Sequence, residues 1–565
     1  MKQSRKPDSP QRRQRRRFPA DWPVLLAAGL LVACRSAPTE PPAKLAQGVN
    51  LTGWFQADRP TSLSPQAFGA ADYQDIATLG LGTVRLPVNF RCLAGPAPGY
   101  LVPAWVLELL DKALRAGLDA GLTIILDNHS QLPEQQADPE LDAFLPVLWQ
   151  QLAFRYRDWP PELLFEIFNE PMDIADATWA SLQARVLAII RADNPTRTVI
   201  VTGAQWGGID GLLQVQPLPD RHLLYSFHFY EPFLFTHQGA DWSNLADFYG
   251  LPFPAGKALP WPGPADDERA AWWDYYFEVD QVQLVRERIA SVADWAERHG
   301  VRLFCGEMGA YNQRMAPADR QAWYALAVAE LRASNIPFTS WDYRDAFGVF
   351  RPDSAARFPQ DLDTGILAAL GLRQPPPALA TAPEGAPVEA PLAIYDEGPA
   401  RGIQHDSWDP LAQVRWLDTR QPASGRFCLS FGRLERYDVV GFTFRSSLDL
   451  SSLAAQGAVL RLNLQWPADA PDLELRWVQN PANGTAKPWR KSIRLGPPIV
   501  AASRAWQTIR IALADFVETG AWDGEWHEPA GLFDWSKVGR LEFVSEYSHL
   551  GDHEYRIDDL RLELP

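Results

Sequence analysis

A chain of 565 residues with 46% hydrophobic and 22% charged side chains has the make-up of a globular protein of two or three domains, not of a disordered or fibrous one. Its formal charge of -16 argues against nucleic-acid binding, which needs a basic face to displace counterions from phosphates. The first 33 residues hold eight Lys and Arg against two Asp, so the rest of the chain is more acidic still. The patterns G-x-x-x-x-G-K-[ST], H-E-x-x-H and G-x-S-x-G are absent, and Gly80-Leu-Gly82 precedes a strand instead of following one, so no nucleotide, metal or other cofactor is expected.

The N-terminus reads as an address. A basic stretch through Arg17 leads into an apolar run, Val24 to Ala33, too short for the ~20 residues that span a bilayer, which is the layout of a signal peptide. Leu31-Val-Ala-Cys34 resembles a bacterial lipobox, in which the cysteine is acylated and becomes the new N-terminus. This implies residues 1–34 as signal, 35–46 as tether, and a secreted protein held to the cell envelope through lipid on Cys34. Without an Asp after Cys34, the expected destination is the outer membrane if the organism is Gram-negative. Cys92, Cys305 and Cys428 are odd in number, far apart and without metal-ligand spacing, which implies neither a disulfide framework nor a metal site.

From residue 47 to 373, eight segments of strand character alternate with helical ones. The strands are Gly48–Phe55, Thr83–Val88, Thr123–His129, Leu163–Glu170, Thr198–Trp206, Leu223–Tyr230, Arg302–Gly309 and Phe338–Tyr343. Amphipathic stretches such as Pro103–Ala120, Leu141–Arg157, Trp179–Ala192, Val282–His299 and Asp319–Ser334 lie between them. Eight βα units predict an α/β fold of the closed (β/α)8, or TIM, barrel kind. The interval between the sixth and seventh strands is the longest and holds Trp242, Phe248, Tyr249, Trp261, Trp272, Trp273, Tyr275 and Tyr276. Those rings either line a substrate cleft or pack on one another. Residues 374–391 are rich in Pro and Ala and read as a linker, after which a barrel ending near Arg373 is expected to fold by itself. Residues 392–565 carry only short strands and turns, which predicts a β-sandwich. Its closing Tyr555-Arg-Ile-Asp-Asp-Leu560 resembles the last strand of jelly-roll carbohydrate-binding modules. Asp396, Glu397, Asp558 and Asp559 are read as caps or surface charges before calcium ligands.

Glycosidic bond hydrolysis needs two carboxyl groups, one to protonate the leaving oxygen and one to attack or to activate water. In a parallel barrel these belong at the C-terminal ends of strands. Glu170 and Glu307 close the fourth and seventh segments, where a purely structural role would leave a costly charge at the end of an apolar run. Asn169-Glu170-Pro171 and Gly306-Glu307-Met-Gly309 resemble the acid/base and nucleophile motifs of glycoside hydrolase family 5, the cellulase-like family of retaining β-glycosidases. Arg85, His129, His228, Tyr230 and Trp341 then fall, in order and at strand ends, on the remaining positions of that family's site, and the likeness covers about 48–350. The resemblance implies catalysis by Glu170 and Glu307. Its substrate-binding set is Arg85, His129, Asn169, His228, Tyr230 and Trp341. Asn169 suits a bond to the sugar 2-hydroxyl, Arg85 and Tyr230 suit donation to Glu307, and Trp341 suits stacking on the ring. Ser130 departs from the family, which often carries a second His there, and Asp342, Arg344 and Asp345 are polar residues near the same rim without assigned roles.

The sequence thus leads to an endo-acting, cofactor-independent hydrolase of a β-linked glucan, acting as a monomer tethered to the membrane by its lipid. Fold and catalytic pair do not fix the sugar, so a β-mannanase, a xyloglucanase and an exo-β-glucosidase remain open. So does a non-catalytic glycan-binding envelope lipoprotein.

Overall fold

The computed structural model describes residues 45–565 except 133–136, 265–266, 268, 353, 376–387, 409–412, 481–486, 498 and 502. The signal segment, Cys34 and most of the linker lie outside the described residues.

Eight parallel strands close into a barrel in chain order: β1 (Gly48–Asn50), β2 (Thr83–Val88), β3 (Thr123–Asn128), β4 (Leu163–Glu166), β5 (Val199–Thr202), β6 (Leu223–Phe229), β7 (Leu303–Met308) and β8 (Phe338–Ser340). Pairing of Gly48 with Thr339 and Val49 with Ser340 closes the ring. The expected strands are all present. Four of them, β1, β4, β5 and β8, stop three to five residues earlier than read, because the chain leaves the ladder at the barrel mouth while keeping its apolar pattern. The surrounding helices form where apolar residues recur at helical spacing. Ala104–Asp119, for example, buries Val106, Leu110, Ala113, Leu114 and Gly117 against the barrel. Gly117 is needed there, since a Cβ would come within 2.4 Å of the Ile124 side chain on β3.

Alternation along the strands sorts the barrel interior into layers. Ile125, Leu164, Ile200, Leu224 and Phe304 form one apolar layer, completed by Leu45. Two residues further along each strand, on the same face, stand Asp127, Glu166, Thr202, Ser226 and Gly306. The next layer toward the C-terminal mouth is therefore polar, and the functional residues converge there.

The second half contains β9 (Leu392–Tyr395), β10 (Ile403–Trp408), β11 (Arg415–Asp418), β12 (Cys428–Gly432), β13 (Val439–Leu448), β14 (Val459–Trp466), β15 (Leu473–Gln479), β16 (Trp489–Leu495), β17 (Ser503–Ala512), β18 (Val517–Trp522), β19 (Trp526–His527), β20 (Val538–Val544) and β21 (Glu554–Glu563). These make two antiparallel sheets, in the orders β10-β13-β20-β15-β16-β18-β19 and β11-β12-β21-β14-β17, with β9 paired to β21. Leu462, Leu475, Trp477, Phe543 and Ile557 are among the residues of their shared core, consistent with a β-sandwich. The acids at its margin serve backbone and arginine. Asp558 accepts the N–H groups of Ala423 and Ser424, Glu397 accepts that of Arg426, and Asp559 pairs with Arg461.

The sandwich does not hang on its linker. Leu417 and Phe427 join the barrel's own apolar core, and Phe427 lies edge-on to Trp105 at 5.2 Å. Arg426 pairs with Glu108 at 2.7 Å, Arg401 with the buried Asp72 at 2.8 Å, and Gln66 donates to the Asp396 carbonyl. Apolar contact and ion pairs together make this a docked interface.

Candidate active site

Arg85 organises the mouth of the barrel. Its guanidinium is fully buried and spends its N–H groups on five neighbours. Nε donates to Glu166 Oε2 at 2.7 Å, and the two terminal nitrogens reach Asn50 Oδ1 (3.0 Å), Glu307 Oε1 (2.8 Å), Asn169 Oδ1 (2.7 Å) and Asp127 Oδ2 (2.9 Å). One cation thus sits among three buried carboxylates. A planar fork suits this geometry where a lysine would not.

Glu307 reaches the cluster through an irregularity in its strand. Phe304 faces the barrel interior, so strict alternation would turn Glu307 outward. The register of β7 shifts against both β6 and β8 around Gly306-Glu307, which is the signature of a bulge re-aiming a side chain. Gly306 has no room for a side chain, because a Cβ would meet Ser226 Oγ at 2.8 Å and His228 Nε2 at 3.2 Å. Glu307 Oε2 also accepts the Tyr230 hydroxyl at 2.8 Å and lies 3.5 Å from His228 Nδ1. Burial alone would push this carboxyl up. The charges of His228 and Arg85 and the Tyr230 bond outweigh it, so Glu307 titrates below the ordinary glutamate value.

Glu170 sits opposite, four residues beyond the end of β4 and partly open to solvent. Its Oε1 lies 2.7 Å from His228 Nδ1. Burial would lower His228, but the negative charge of Glu307 and the bond to Glu170 prevail and raise it above the ordinary histidine value. As a cation it donates Nδ1–H to Glu170 while its charge faces Glu307. Atoms of Glu170, His228 and Glu307 all lie within 4.8 Å of one another, the one such His/Cys/Asp/Glu grouping among the described residues. Its oxygens are already engaged by Arg85, Tyr230 and His228, which fits an acid-base pair.

Asn169 is fixed by donor arithmetic. Arg85 only donates, so Asn169 must turn Oδ1 toward it, leaving Nδ2 to face His129 Nε2 at 3.4 Å. His129 Nδ1 then points at Asp127 Oδ2, 2.8 Å away. The His129 ring stacks on Trp341, with centroids 5.5 Å apart. All eight residues expected at the site therefore meet at one end of the barrel. Ser130, the departure from the family pattern, donates to Asn128 and accepts the Arg91 N–H, so it secures a loop.

The rim residues divide. Arg344 pairs with the buried Asp72. Asp342 is buried and accepts the Asp345 N–H at 2.6 Å. Burial first, and then Asp345, push its carboxyl up to about 7. In the long insertion, Phe248, Trp261 and Trp273 pack on one another, whereas Trp242 is half exposed and touches Tyr311 and Phe347, the ring beside Tyr230.

Sequence reasoning missed Asn50, Asp127 and Glu166 as parts of the cluster. It also missed Trp206, which is 45% exposed in a run of three left-handed residues, Gln205, Trp206 and Gly207. That turn is pinned on both sides of Glu170, through Trp206 N–H to the Pro171 carbonyl and His228 N–H to the Gly207 carbonyl. Strained backbone held by its surroundings is typical of functional loops. Nothing in residue spacing announces it.

Replacing Tyr230 by Phe tests the electrostatics. Losing a bond to a charged group should lower kcat about 10- to 100-fold. It should also raise the Glu307 pKa, because the ionised form loses a donor. The acid limb of the kcat/KM profile then moves to higher pH, and an unmoved limb would contradict the assignment.

The sequence has counterparts among known proteins. The model of "Cellulase (glycosyl hydrolase family 5)" matches residues 47–347. The chain is similar to Endoglucanase 3 of Fibrobacter succinogenes, 28% identical over 334 residues that cover 54% of this chain and 50% of that protein. It is also similar to Endoglucanase C of Acetivibrio thermocellus, 25% identical over 335 residues, 54% of this chain and 93% of that one. Endoglucanase H of the latter organism is 27% identical, with 33% of its length covered, so the chain spans half or less of two of these relatives. Among solved structures, a hyperthermophilic endo-β-1,4-glucanase in complex with substrate is 25% identical, with a TM-score of 0.49 over 59% of this chain and 98% of that one. With the family model covering more than half its length, the chain belongs to glycosyl hydrolase family 5.

Proposed function

We propose that this protein is a retaining endo-β-glucan hydrolase in which Glu307 attacks the anomeric carbon and Glu170 protonates the leaving oxygen, then deprotonates the incoming water. The observation that carries this is the carboxyl pair, with one oxygen of Glu170 within 4.8 Å of one oxygen of Glu307. Retaining enzymes hold these groups about 5–5.5 Å apart, whereas inverting ones need about 6.5–9.5 Å to admit a water. The surroundings of the pair suit the roles. Glu307 is held ionised by two cationic groups and a phenol, as a nucleophile must be, and Glu170 is reachable from solvent, as a group that exchanges protons must be. Asn169 keeps one amide N–H for the sugar 2-hydroxyl, and Trp341 offers a face to the ring. A β-glucan as substrate is supported by the endoglucanases to which the chain is similar.

The test is a panel of soluble β-glucans, mannan and xyloglucan followed by reducing ends and viscosity, with proton NMR of the first product. Viscosity should fall ahead of reducing-end release, and the first anomer should be β. Activity confined to mannan, release of single sugars from chain ends, or a first α anomer would each overturn part of the reading.

For the sandwich we propose glycan binding through Trp522 and Trp526, which pair directly across β18 and β19 and are 58% and 44% exposed. Cross-strand partners share a face, and exposed indoles suit sugar rings. The Trp522→Ala, Trp526→Ala double variant should keep activity on soluble oligosaccharides and lose retention on insoluble glucan; full retention would remove this role. The lipid anchor on Cys34 is proposed from its sequence motif. Cys34→Ala should move the protein from the membrane to the soluble envelope fraction, and an unchanged distribution would count against acylation.

A further inference from the structure

A cavity of 480 Å³ opens where the sandwich meets the barrel. Four arginines line it, Arg344 and Arg357 from the barrel and Arg401 and Arg445 from the sandwich, with Asp75 the one lining acid among the described residues. Three of these cations have partners. Arg344 and Arg401 share the buried carboxylate of Asp72, and Arg357 is bound to Asp361. Arg445 differs. It is half-buried on β13, its backbone is tied to Gly402, and its guanidinium makes no ion pair or side-chain hydrogen bond with any described residue. Burial first, and then the neighbouring Arg344 charge, press it below the ordinary guanidinium value, outweighing the opposing pull of Asp345, Asp342 and Asp72, none of which it contacts in an ion pair. Arg344 adds a second unmet demand, for its Nε–H is buried without an acceptor. Asp75 feels the charges of Arg401 and Arg344, while burial and then Asp72 push its carboxyl up to about 6.

An unpaired guanidinium, beside a second one with a buried N–H lacking an acceptor, asks for an anion in the open space between them. Buried charges are otherwise paired, and arginine forks match the oxygens of carboxylate and phosphate. The remaining wall is apolar, with Phe358, Leu392, Ile403 and Phe444, and the volume lies within the range of sites that enclose a small organic ligand. We propose that this junction binds a sugar-sized ligand carrying an oxyanion, a uronic acid or a sugar phosphate, with Arg445 and Arg344 gripping the anion and Arg401 closing over it. The site is separate from Glu170 and Glu307, and the inference does not depend on the reaction assigned to them.

Calorimetric titration of the whole mature protein with glucuronate, glucose 6-phosphate, inorganic phosphate and glucose, at ionic strength matched with sodium chloride, tests the site. One of the two sugar anions should bind saturably and raise Tm, glucose should not, and the stronger arm identifies the oxyanion. Arg445→Gln should weaken that binding about 10- to 100-fold and leave hydrolysis of a soluble oligosaccharide unchanged. Arg445→Glu supplies the missing negative charge from the chain itself, so it should raise Tm without ligand and abolish the ligand-induced rise. The proposal fails if neither sugar anion binds above the salt control, if Arg445→Gln binds as the parent does, or if Arg445→Glu lowers Tm and keeps the ligand response.

Discussion

Glu307→Ala should abolish hydrolysis of every substrate, by a factor on the order of 10⁶, the scale of losing a covalent nucleophile. Glu170→Ala should behave differently. On polysaccharide, where the departing alkoxide needs a proton, the loss should be about 10²- to 10⁴-fold. On an aryl glycoside with an acidic leaving group the first step is spared, and the glycosyl-enzyme accumulates because no base activates water. Azide needs no base. Its addition should restore turnover and yield a β-azide, by a second inversion at the anomeric carbon. The two carboxylates are thus separable although both contact His228. If azide instead rescues the Glu307 variant and gives an α-azide, the roles are exchanged.

The largest effect on stability should come from Arg85→Met. Removing the shared cation leaves Asp127, Glu166 and Glu307 facing one another in the barrel interior. Breaking a buried ion pair from one side costs about 3–5 kcal/mol, and three acids depend on this one base. The pH dependence gives the loss a signature. Even beside Arg85, burial holds Glu166 above the ordinary glutamate value. Without the arginine the folded-state value of Glu166 rises further above that of the unfolded chain. A raised folded value means stability that is full below the unfolded pKa, near 4.5, and is lost as pH climbs through the folded one. The variant should therefore be more stable at pH 5 than at pH 7 in urea melts, relative to the parent at each pH. Equal stability of the two proteins, or a difference that does not change with pH, would show that the cage is not charged as described.

The barrel was legible because eight apolar segments alternate with helical ones, a rhythm that the connecting segments do not disturb. The strand ends were harder. Ile167 to Asn169 keep an apolar look past the last residue of β4, since they still lie between neighbouring strands, with Ile167 bonded to Ile200 and Asn169 to Asn128. The meeting of Glu170 and Glu307 was legible through their motifs, yet Glu166 stood unremarked inside Leu163-Leu-Phe-Glu166. A carboxylate in a buried strand requires a cation, and Arg85 in another buried strand was the available one, so the pairing was within reach of charge accounting. Asp127 needed a further step, the alternation that puts it two residues past Ile125 on the inward face. The bulge that turns Glu307 inward and the left-handed turn at Trp206 follow from tertiary constraints and leave no periodic trace.

The charged cage also ties the alignment of Glu307 to closure of the ring. Asn50 comes from β1, Arg85 from β2, Asp127 from β3, Glu166 from β4 and Glu307 from β7, so Glu307 acquires its full set of partners only when the two ends of the sheet have met. A chain that has formed its helices and most of its ladder but has not joined β8 to β1 lacks an aligned Glu307. Regained hydrolysis therefore reports ring closure rather than secondary structure. During refolding from urea, turnover should lag the far-ultraviolet circular dichroism signal and keep pace with burial of the tryptophans packed around the barrel.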